Sequence, residues 1–318
     1  MQLARPPDIA ATEEVYRYNR ARAEAVKARN QVAYSRHTVD NAGRLVAGAK
    51  RDEWKIVEET AHQPSKESAL QVVFLHDQDV PFAEAINRGN YLSRLVRQWT
   101  ATKNPDLAVE FHTFSWRADF GPDEFASARL AAHVQAVSLS RYLQSIGRPN
   151  APLVLIGHGL GAQVVLDALN HRRGNRIMPP ARMVLLIQPA VHRINIGRGT
   201  YTVAQGVDES VIRYDGTHYY DLAAAENVIA TCSQADSSLR ESFPENMGAE
   251  TQAPKRDIAL GLPYASSTEA EIFPANFRLL DFSPGKHLDM AFTSHDSLYD
   301  ASGRRAMWAV WQNVLRKL

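Results

Sequence analysis

The sequence of 318 residues contains a single cysteine, Cys232. This scarcity limits the disulfides and metal sites that the chain could form, and it bears on the cellular compartment. One cysteine cannot form an internal disulfide, and it provides no zinc-ligand spacing. The first ten residues lack the apolar segment that a signal peptide requires. We therefore expect a reducing, cytoplasmic compartment.

Long apolar runs and an excess of one charge are also absent. No run approaches the roughly 20 apolar residues that cross a bilayer, so we expect no membrane span. The 36 basic and 35 acidic residues leave a net charge of +1, which argues against a nucleic-acid partner. The hydrophobic content of 45% is ample for a large buried core.

The N-terminal part of the chain differs from the rest. Residues 9 to 52 contain no glycine or proline before Gly43, and their arginines and lysines outnumber the acids. This composition predicts one long helix or a helix pair. We predict a charged helical extension over residues 1–65, followed by a domain over 66–318. The extension could pack on the domain as a solvated helix, or residues 9–52 could bind a protein partner.

From residue 70 onward, short apolar runs alternate with helical segments. This alternation predicts an α/β domain with a mostly parallel sheet and helices on both faces. Trp308, Trp311 and Leu315 share one stripe of a terminal helix, and such a stripe is typical of core. The predicted strands cover Leu70 to His76, Ala108 to Trp116, Pro152 to Gly157, Arg182 to Pro189, Asn227 to Cys232 and Phe277 to Phe282.

Three long loops are predicted, over residues 174–180, 197–220 and 243–274. Loops of this length often lie over active sites in α/β architectures, although simple surface decoration is an equal alternative.

The segment from Pro152 to Leu169 is the most informative part of the sequence. An apolar strand runs directly into a glycine-rich turn, and an amphipathic helix follows. In the nucleophile elbow, Gly-x-Ser-x-Gly presents a serine at the tip of such a turn. Gly157 and Gly161 match the two outer glycines, whereas Gly159 stands at the tip.

With these motifs the sequence resembles the α/β-hydrolase superfamily, in particular the bacterial α/β hydrolases of unknown function. The resemblance covers about Leu70 to Leu318. It depends on the order of the motifs more than on any one of them. In sequence order, the motifs are His76 after the first apolar strand, Phe114 to Trp116, the turn at Gly157 to Gly161, Asp236, and His295 before the last helix.

The resemblance implies a role for each matching position. Gly159 takes the place of the nucleophile, Asp236 that of the acid and His295 that of the base, while the backbone N–H of Leu160 forms half of an oxyanion hole. Glycine has no side chain that could attack a substrate. Because loss of the nucleophile costs on the order of a millionfold in turnover, the resemblance implies an inactive serine hydrolase.

A second departure lies in the oxyanion region at His76 and Asp77. Relatives usually carry glycine after the histidine, whereas this chain has Asp77. A carboxylate here would repel the negative charge that the loop should stabilise. Two separate departures favour natural loss of catalysis, although replacement of a serine at position 159 by engineering stays open.

The sequence thus predicts a pseudoenzyme with a binding or assembly role, whose ligand could be a small acyl compound or a peptide. Weak hydrolysis is an alternative, with water activated by His295 and Asp236, or with Asp77 or Asp79 as general base. Structural roles also stay open: Asp236 could cap a helix and His295 could lie in a surface loop.

A dinucleotide-binding protein is a further alternative, because Gly157, Gly159 and Ala162 fit the fingerprint Gly-x-Gly-x-x-Ala. The acidic residue expected at the end of the next strand is absent from Met183 to Gln188. We therefore expect no cofactor. We also expect no metal, because the histidines are scattered and the Asp77 and Asp79 pair lacks further ligands at calcium-loop spacing.

Overall fold

We describe the fold from a computed structural model of the chain. The structure describes residues 31–35, 54–58, 70–118, 120, 125–148, 150–172, 181–196, 198–205, 208–215, 222–241, 243, 259–263 and 273–318. Within these ranges, no helix is long and apolar enough to span a lipid bilayer.

The main sheet contains eight described strands, which are β1 (Gln31–Ser35), β2 (Trp54–Glu58), β3 (Leu70–Leu75), β4 (Val109–Ser115), β5 (Leu153–His158), β6 (Met183–Ile187), β9 (Val228–Cys232) and β10 (Phe277–Asp281). Their order across the sheet is β10-β9-β6-β5-β3-β4-β1-β2. Neighbouring strands are parallel except β1 and β2, which form an antiparallel pair at one edge. The order reverses between β3 and β5, and ligands of open α/β sheets bind beyond the strand ends at such a switch point.

Within the part of the chain that the structure describes, four long helices cover the two faces of the sheet. Helices α1 (Phe82–Lys103) and α4 (Ala301–Leu315) contribute to one core, and α2 (Phe125–Ile146) and α3 (Gly161–Arg172) contribute to the other. Strand β3 supplies both cores, because its successive side chains point to opposite faces. All six strands predicted from residue 70 onward are present, and the architecture is the predicted α/β-hydrolase fold.

Two local predictions are wrong. Gln31–Ser35, inside the predicted N-terminal helix, forms β1 and pairs with β4, so this part of the extension belongs to the sheet. Backbone pairing in the sheet overrides the helical propensity of a charged, alanine-rich stretch. The other residues of 9–52 that were predicted to be helical lie outside the described residues. The predicted loop over 197–220 contains an antiparallel hairpin of β7 (Arg198–Gln205) and β8 (Asp208–Asp215).

The predicted tryptophan stripe of the last helix is core. Trp308 is 1% exposed, and its ring centroid lies 5.6 Å from that of Trp99 on α1. The indole N–H of Trp311 donates to the Thr100 hydroxyl at 3.2 Å. Helix α4 is therefore held against α1 by a tilted contact between tryptophan rings and by a buried hydrogen bond.

Replacement of Trp308 by alanine should strongly destabilise the fold. Truncation leaves a cavity between α1 and α4, and such changes cost about 3 to 5 kcal/mol. Urea unfolding monitored by circular dichroism would measure the loss. Leu288 is 92% exposed, so Leu288→Ala is a matched control and should stay within about 0.5 kcal/mol of the parent. A similar small effect for both variants would contradict the assignment of Trp308 to the core.

Candidate active site

The glycine-rich turn joins β5 to α3 at the carboxyl end of the sheet. Gly159 has φ of +53°, a left-handed conformation that favours glycine. At Gly157 an added Cβ would lie 2.6 Å from the Cα of Ala162, so a side chain there would separate the helix from the strand. The backbone has the form of a nucleophile elbow, and its tip carries no side chain.

The space above the tip is filled by Asp77, which follows β3. A Cβ added to Gly159 would collide with the Asp77 carboxylate, so the two positions cannot both carry their side chains as they stand. The backbone N–H of Leu160 donates to Asp77 Oδ1 at 2.5 Å. Asp77 therefore fills the space that a side chain at position 159 would occupy, and it also binds the Leu160 amide that the resemblance assigns to the oxyanion hole.

His295 lies between two carboxylates. Its Nε2 is 2.7 Å from Asp77 Oδ2, and its Nδ1 is 2.7 Å from Asp236 Oδ2. Ionised carboxylates only accept hydrogen bonds, so both ring nitrogens must donate, and the ring is an imidazolium. Asp77, His295 and Asp236 form one row of alternating charges, which we call the ion triad.

The pKa values in the ion triad follow from this geometry. Burial by itself would lower the pKa of His295, but Asp77 and Asp236 hold that pKa well above its usual value. Burial by itself would raise the pKa of Asp77, but the His295 charge and the hydrogen bonds from His295 and Leu160 hold it well below its usual value. At neutral pH His295 and Asp77 are therefore both charged.

The two carboxylate oxygens of Asp236 make different contacts. Its Oδ1 accepts from the backbone N–H of Leu239 at 3.0 Å, which is a capping contact. Its Oδ2 faces His295 and also accepts from the Gln188 side-chain amide at 2.8 Å. Asp236 therefore makes both the contact of a helix cap and a contact with His295. Gln188 was missed from the sequence, because nothing marks a glutamine at the end of β6 as a partner of Asp236.

Two further histidines near the ion triad are neutral. Burial lowers the pKa of His76 to about 4, and its Nδ1–H donates to the Asp77 carbonyl at 2.8 Å. Burial, followed by the charge of His295, lowers the pKa of His158. The Nε2–H of His158 donates to the His295 carbonyl at 3.0 Å, and the two rings stack with centroids 5.1 Å apart. Both residues are fully buried, and they bind the backbone carbonyls of Asp77 and His295.

The segment that carries Asp77 is fixed by its neighbours. The Trp116 indole N–H donates to the His76 carbonyl at 2.8 Å, and the two rings stack. The backbone N–H of Asp79 donates to the Ala118 carbonyl at 2.5 Å. Because these contacts hold the backbone on both sides of Asp77, its carboxylate is positioned over Gly159 by the fold.

A pocket of about 200 Å³ opens above the ion triad. One wall is apolar, with the rings of Phe125 and Phe243 in an edge-to-face pair at 5.6 Å. The other wall is charged, and there Arg88 forms ion pairs with Glu84 and Asp296. The lining residues are Asp77, Gln78, Asp79, Arg88, Phe125, Ala190, Ser238, Leu239, Phe243, His295 and Asp296. Over the described ranges, no group of three or more His, Cys, Asp or Glu side chains could hold a metal ion.

The predicted site residues therefore come together. Gly159, Leu160, Asp77, Asp236 and His295 form one connected cluster beside the pocket, and His76 supports Asp77 through its backbone. His295 begins a 3-10 turn, and its side chain is 11% exposed, so the surface-loop alternative is wrong.

The ring of His295 should stay protonated at neutral pH. Two carboxylates raise its pKa, so the ring nitrogens should give imidazolium shifts at pH 7 and lose the proton only at alkaline pH. Nitrogen-15 NMR of the histidine side chains would measure this titration. In Asp77→Asn one carboxylate charge is lost, and the His295 pKa should fall. An unchanged midpoint would mean that Asp77 does not control the charge of His295.

When the chain is compared with known proteins, it is similar to solved structures. No family model matches the sequence, and no curated protein matches it. A thermostable carboxylesterase from a metagenomic library is similar with 12% identity, 96% of each chain covered and a TM-score of 0.39. A peroxisomal α/β-hydrolase of Saccharomyces cerevisiae has 10% identity and a TM-score of 0.38, with 81% of this chain and 79% of that chain covered. A thioesterase from the yersiniabactin pathway has 10% identity and a TM-score of 0.35, with 79% of this chain and 93% of that chain covered.

Proposed function

We propose that this chain does not catalyse serine-type ester hydrolysis and that it binds a small ligand in the pocket above the ion triad. The observation that carries the proposal is the Asp77 carboxylate over Gly159. This carboxylate fills the space that a nucleophile at position 159 would need, and it accepts a hydrogen bond from the Leu160 N–H. An acyl substrate would find no attacking group, and a negative charge would stand where its own oxyanion must form.

The pocket supports ligand binding. A hydrogen-bonded His295 and Asp236 pair beside an open pocket is what a hydrolase-like site retains after its nucleophile is lost. Aromatic side chains on one wall and a few charged groups on the other are typical of small-molecule sites. We propose a small, partly apolar compound as the ligand, in the size range of an acyl ester or of one side chain of a bound peptide.

Weak hydrolysis through water activated by His295 is the less favoured alternative. A general base must begin without the proton that it is to accept. His295 is an imidazolium with both nitrogens engaged by carboxylates, so it cannot activate water in this state. Asp77 is also a poor base, because its pKa is held well below the usual value.

Dinucleotide binding is also less favoured. That function requires a phosphate group at the start of α3, where free backbone N–H groups attract anions. The Leu160 N–H is already occupied by Asp77, whose charge would repel a phosphate. A protein partner for residues 9–52 stays a prediction of the sequence.

Two measurements test the proposal. A fluorophosphonate probe should not label the protein, and p-nitrophenyl acetate should be hydrolysed no faster than in buffer. Ligands found by thermal shift with a panel of small esters, amides and carboxylic acids should lose affinity at least tenfold in Ser238→Trp, because that side chain fills the pocket. Ser237 is its exposed neighbour outside the pocket lining, and Ser237→Trp is the matched control. Probe labelling, or equal binding by both variants, would contradict the proposal.

A further inference from the structure

The charged wall of the pocket carries more negative than positive groups. The carboxylates of Asp77, Asp79 and Asp296 line it, together with the cationic groups of Arg88 and His295. Both cationic groups already contact carboxylates of the protein. The wall therefore presents unbalanced negative charge to the pocket, and a cleft of this kind concentrates cations.

Asp79 carries this excess charge. Within the part of the chain that the structure describes, its carboxylate forms no hydrogen bond and no ion pair, while its backbone N–H is fixed to the Ala118 carbonyl. Burial, followed by the charges of Glu84 and Asp77, raises the pKa of Asp79 above its usual value. A cation beside Asp79 would offset this repulsion, because an opposite charge favours the ionised carboxylate.

Gln78, the preceding residue, gives an independent indication of a missing donor. It lines the pocket, and its Oε1 is buried and accepts no hydrogen bond from the described residues. Burial of an acceptor without a donor is unfavourable. A primary ammonium group has three N–H donors, so one such group can serve an amide oxygen and a carboxylate together.

We propose that the ligand of this pocket is an aromatic primary amine, bound as its ammonium ion by Asp79 with its ring against Phe125 and Phe243. This inference rests on the proposed function and names the class of its ligand. The two phenylalanine rings form the apolar wall, and the faces of such rings also attract a nearby cation. An anionic ligand is not favoured at Arg88, whose guanidinium is already paired.

Isothermal titration of the full chain with three compounds of similar size tests the charge of the ligand. At neutral pH 2-phenylethylamine is a cation, 2-phenylethanol is neutral and phenylacetate is an anion. We expect the amine to bind about tenfold more tightly than the alcohol, and phenylacetate to bind more weakly than both, because several carboxylates act on the ligand charge. Equal affinity for the amine and the alcohol, or no binding of the amine, would overturn the inference. This comparison needs no variant.

Asp79→Asn tests the residue that binds the ammonium. The change removes the charge and preserves the size, so affinity for the amine should fall about fivefold, the scale of an ion pair with an exposed carboxylate. Affinity for the alcohol should stay unchanged. Asp289→Asn is the matched control, because Asp289 is exposed outside the pocket and its φ of +58° is close to the +53° of Asp79. Equal amine affinity in the two variants would overturn the assignment to Asp79.

Failure of this inference and failure of the proposed function give different results. If the amine is not preferred but another small molecule loses affinity in Ser238→Trp, the pocket binds a ligand of another class. The inference is then wrong and the proposed function stands. If no compound of either set depends on Ser238, both are wrong.

Discussion

Introduction of a serine at position 159 alone should give no esterase, whereas Gly159→Ser combined with Asp77→Gly should give measurable turnover. In the single variant the added Cβ collides with the Asp77 carboxylate, so the serine reaches its position only if Asp77 gives up its contacts with His295 and the Leu160 N–H. The second substitution removes the obstruction and frees the Leu160 N–H for the oxyanion. It also leaves His295 hydrogen-bonded to Asp236, which completes a serine, histidine and aspartate arrangement.

We expect the double variant to exceed Gly159→Ser by on the order of a thousandfold in kcat/KM for p-nitrophenyl acetate. One oxyanion donor is itself worth about 10² to 10³ in rate, and access of the serine to its base adds to this. Asp77→Gly alone is the control and should stay at the buffer rate, because it restores no nucleophile. Equal activity of the single and double variants would mean that Asp77 moves aside freely, which would remove the central observation behind the proposed function.

Removal of the Asp77 carboxylate should also strongly destabilise the fold. Asp77→Ala leaves the Leu160 N–H without its acceptor and His295 without one of its two carboxylates. Breaking a buried ion pair by removal of one partner costs about 3 to 5 kcal/mol. Urea unfolding at pH 6 would measure the loss, and Asp289→Asn, at an exposed aspartate outside the ion triad, is the control. A loss as small as that of the control would show that the ion triad is not a stabilising element.

The size of this loss should depend on pH in a defined direction. The folded pKa of Asp77 is lowered, so its contribution is present above the unfolded value of about 3.9 and disappears as the pH falls through the folded value. The folded pKa of His295 is raised, so its contribution is complete below about 6.5 and disappears as the pH rises through the folded value. The difference between parent and Asp77→Ala should therefore be largest between about pH 4 and 6.5. A difference that grows toward pH 9 would contradict the assigned charges.

The sequence predicts only one of the two effects of Asp77. A carboxylate in the oxyanion region predicts repulsion of a developing oxyanion, and this follows from charge alone. That the same carboxylate fills the place of the missing side chain does not follow, because Asp77 and Leu160 are 83 positions apart and contact each other only through the parallel pairing of β3 and β5. Gly159 and Asp77, which are far apart in the sequence, are therefore direct neighbours in the fold.

The sequence by itself determined the six central strands, the covering helices and the elbow, because these depend on local patterns of apolar residues and glycines. It also determined that no nucleophile stands at the tip, since Gly159 has no side chain. It did not determine β1, whose strand form depends on pairing with β4. The tertiary structure alone decided the ion triad, because Asp77 and His295 are 218 positions apart and their charges depend on a shared burial that no local pattern encodes.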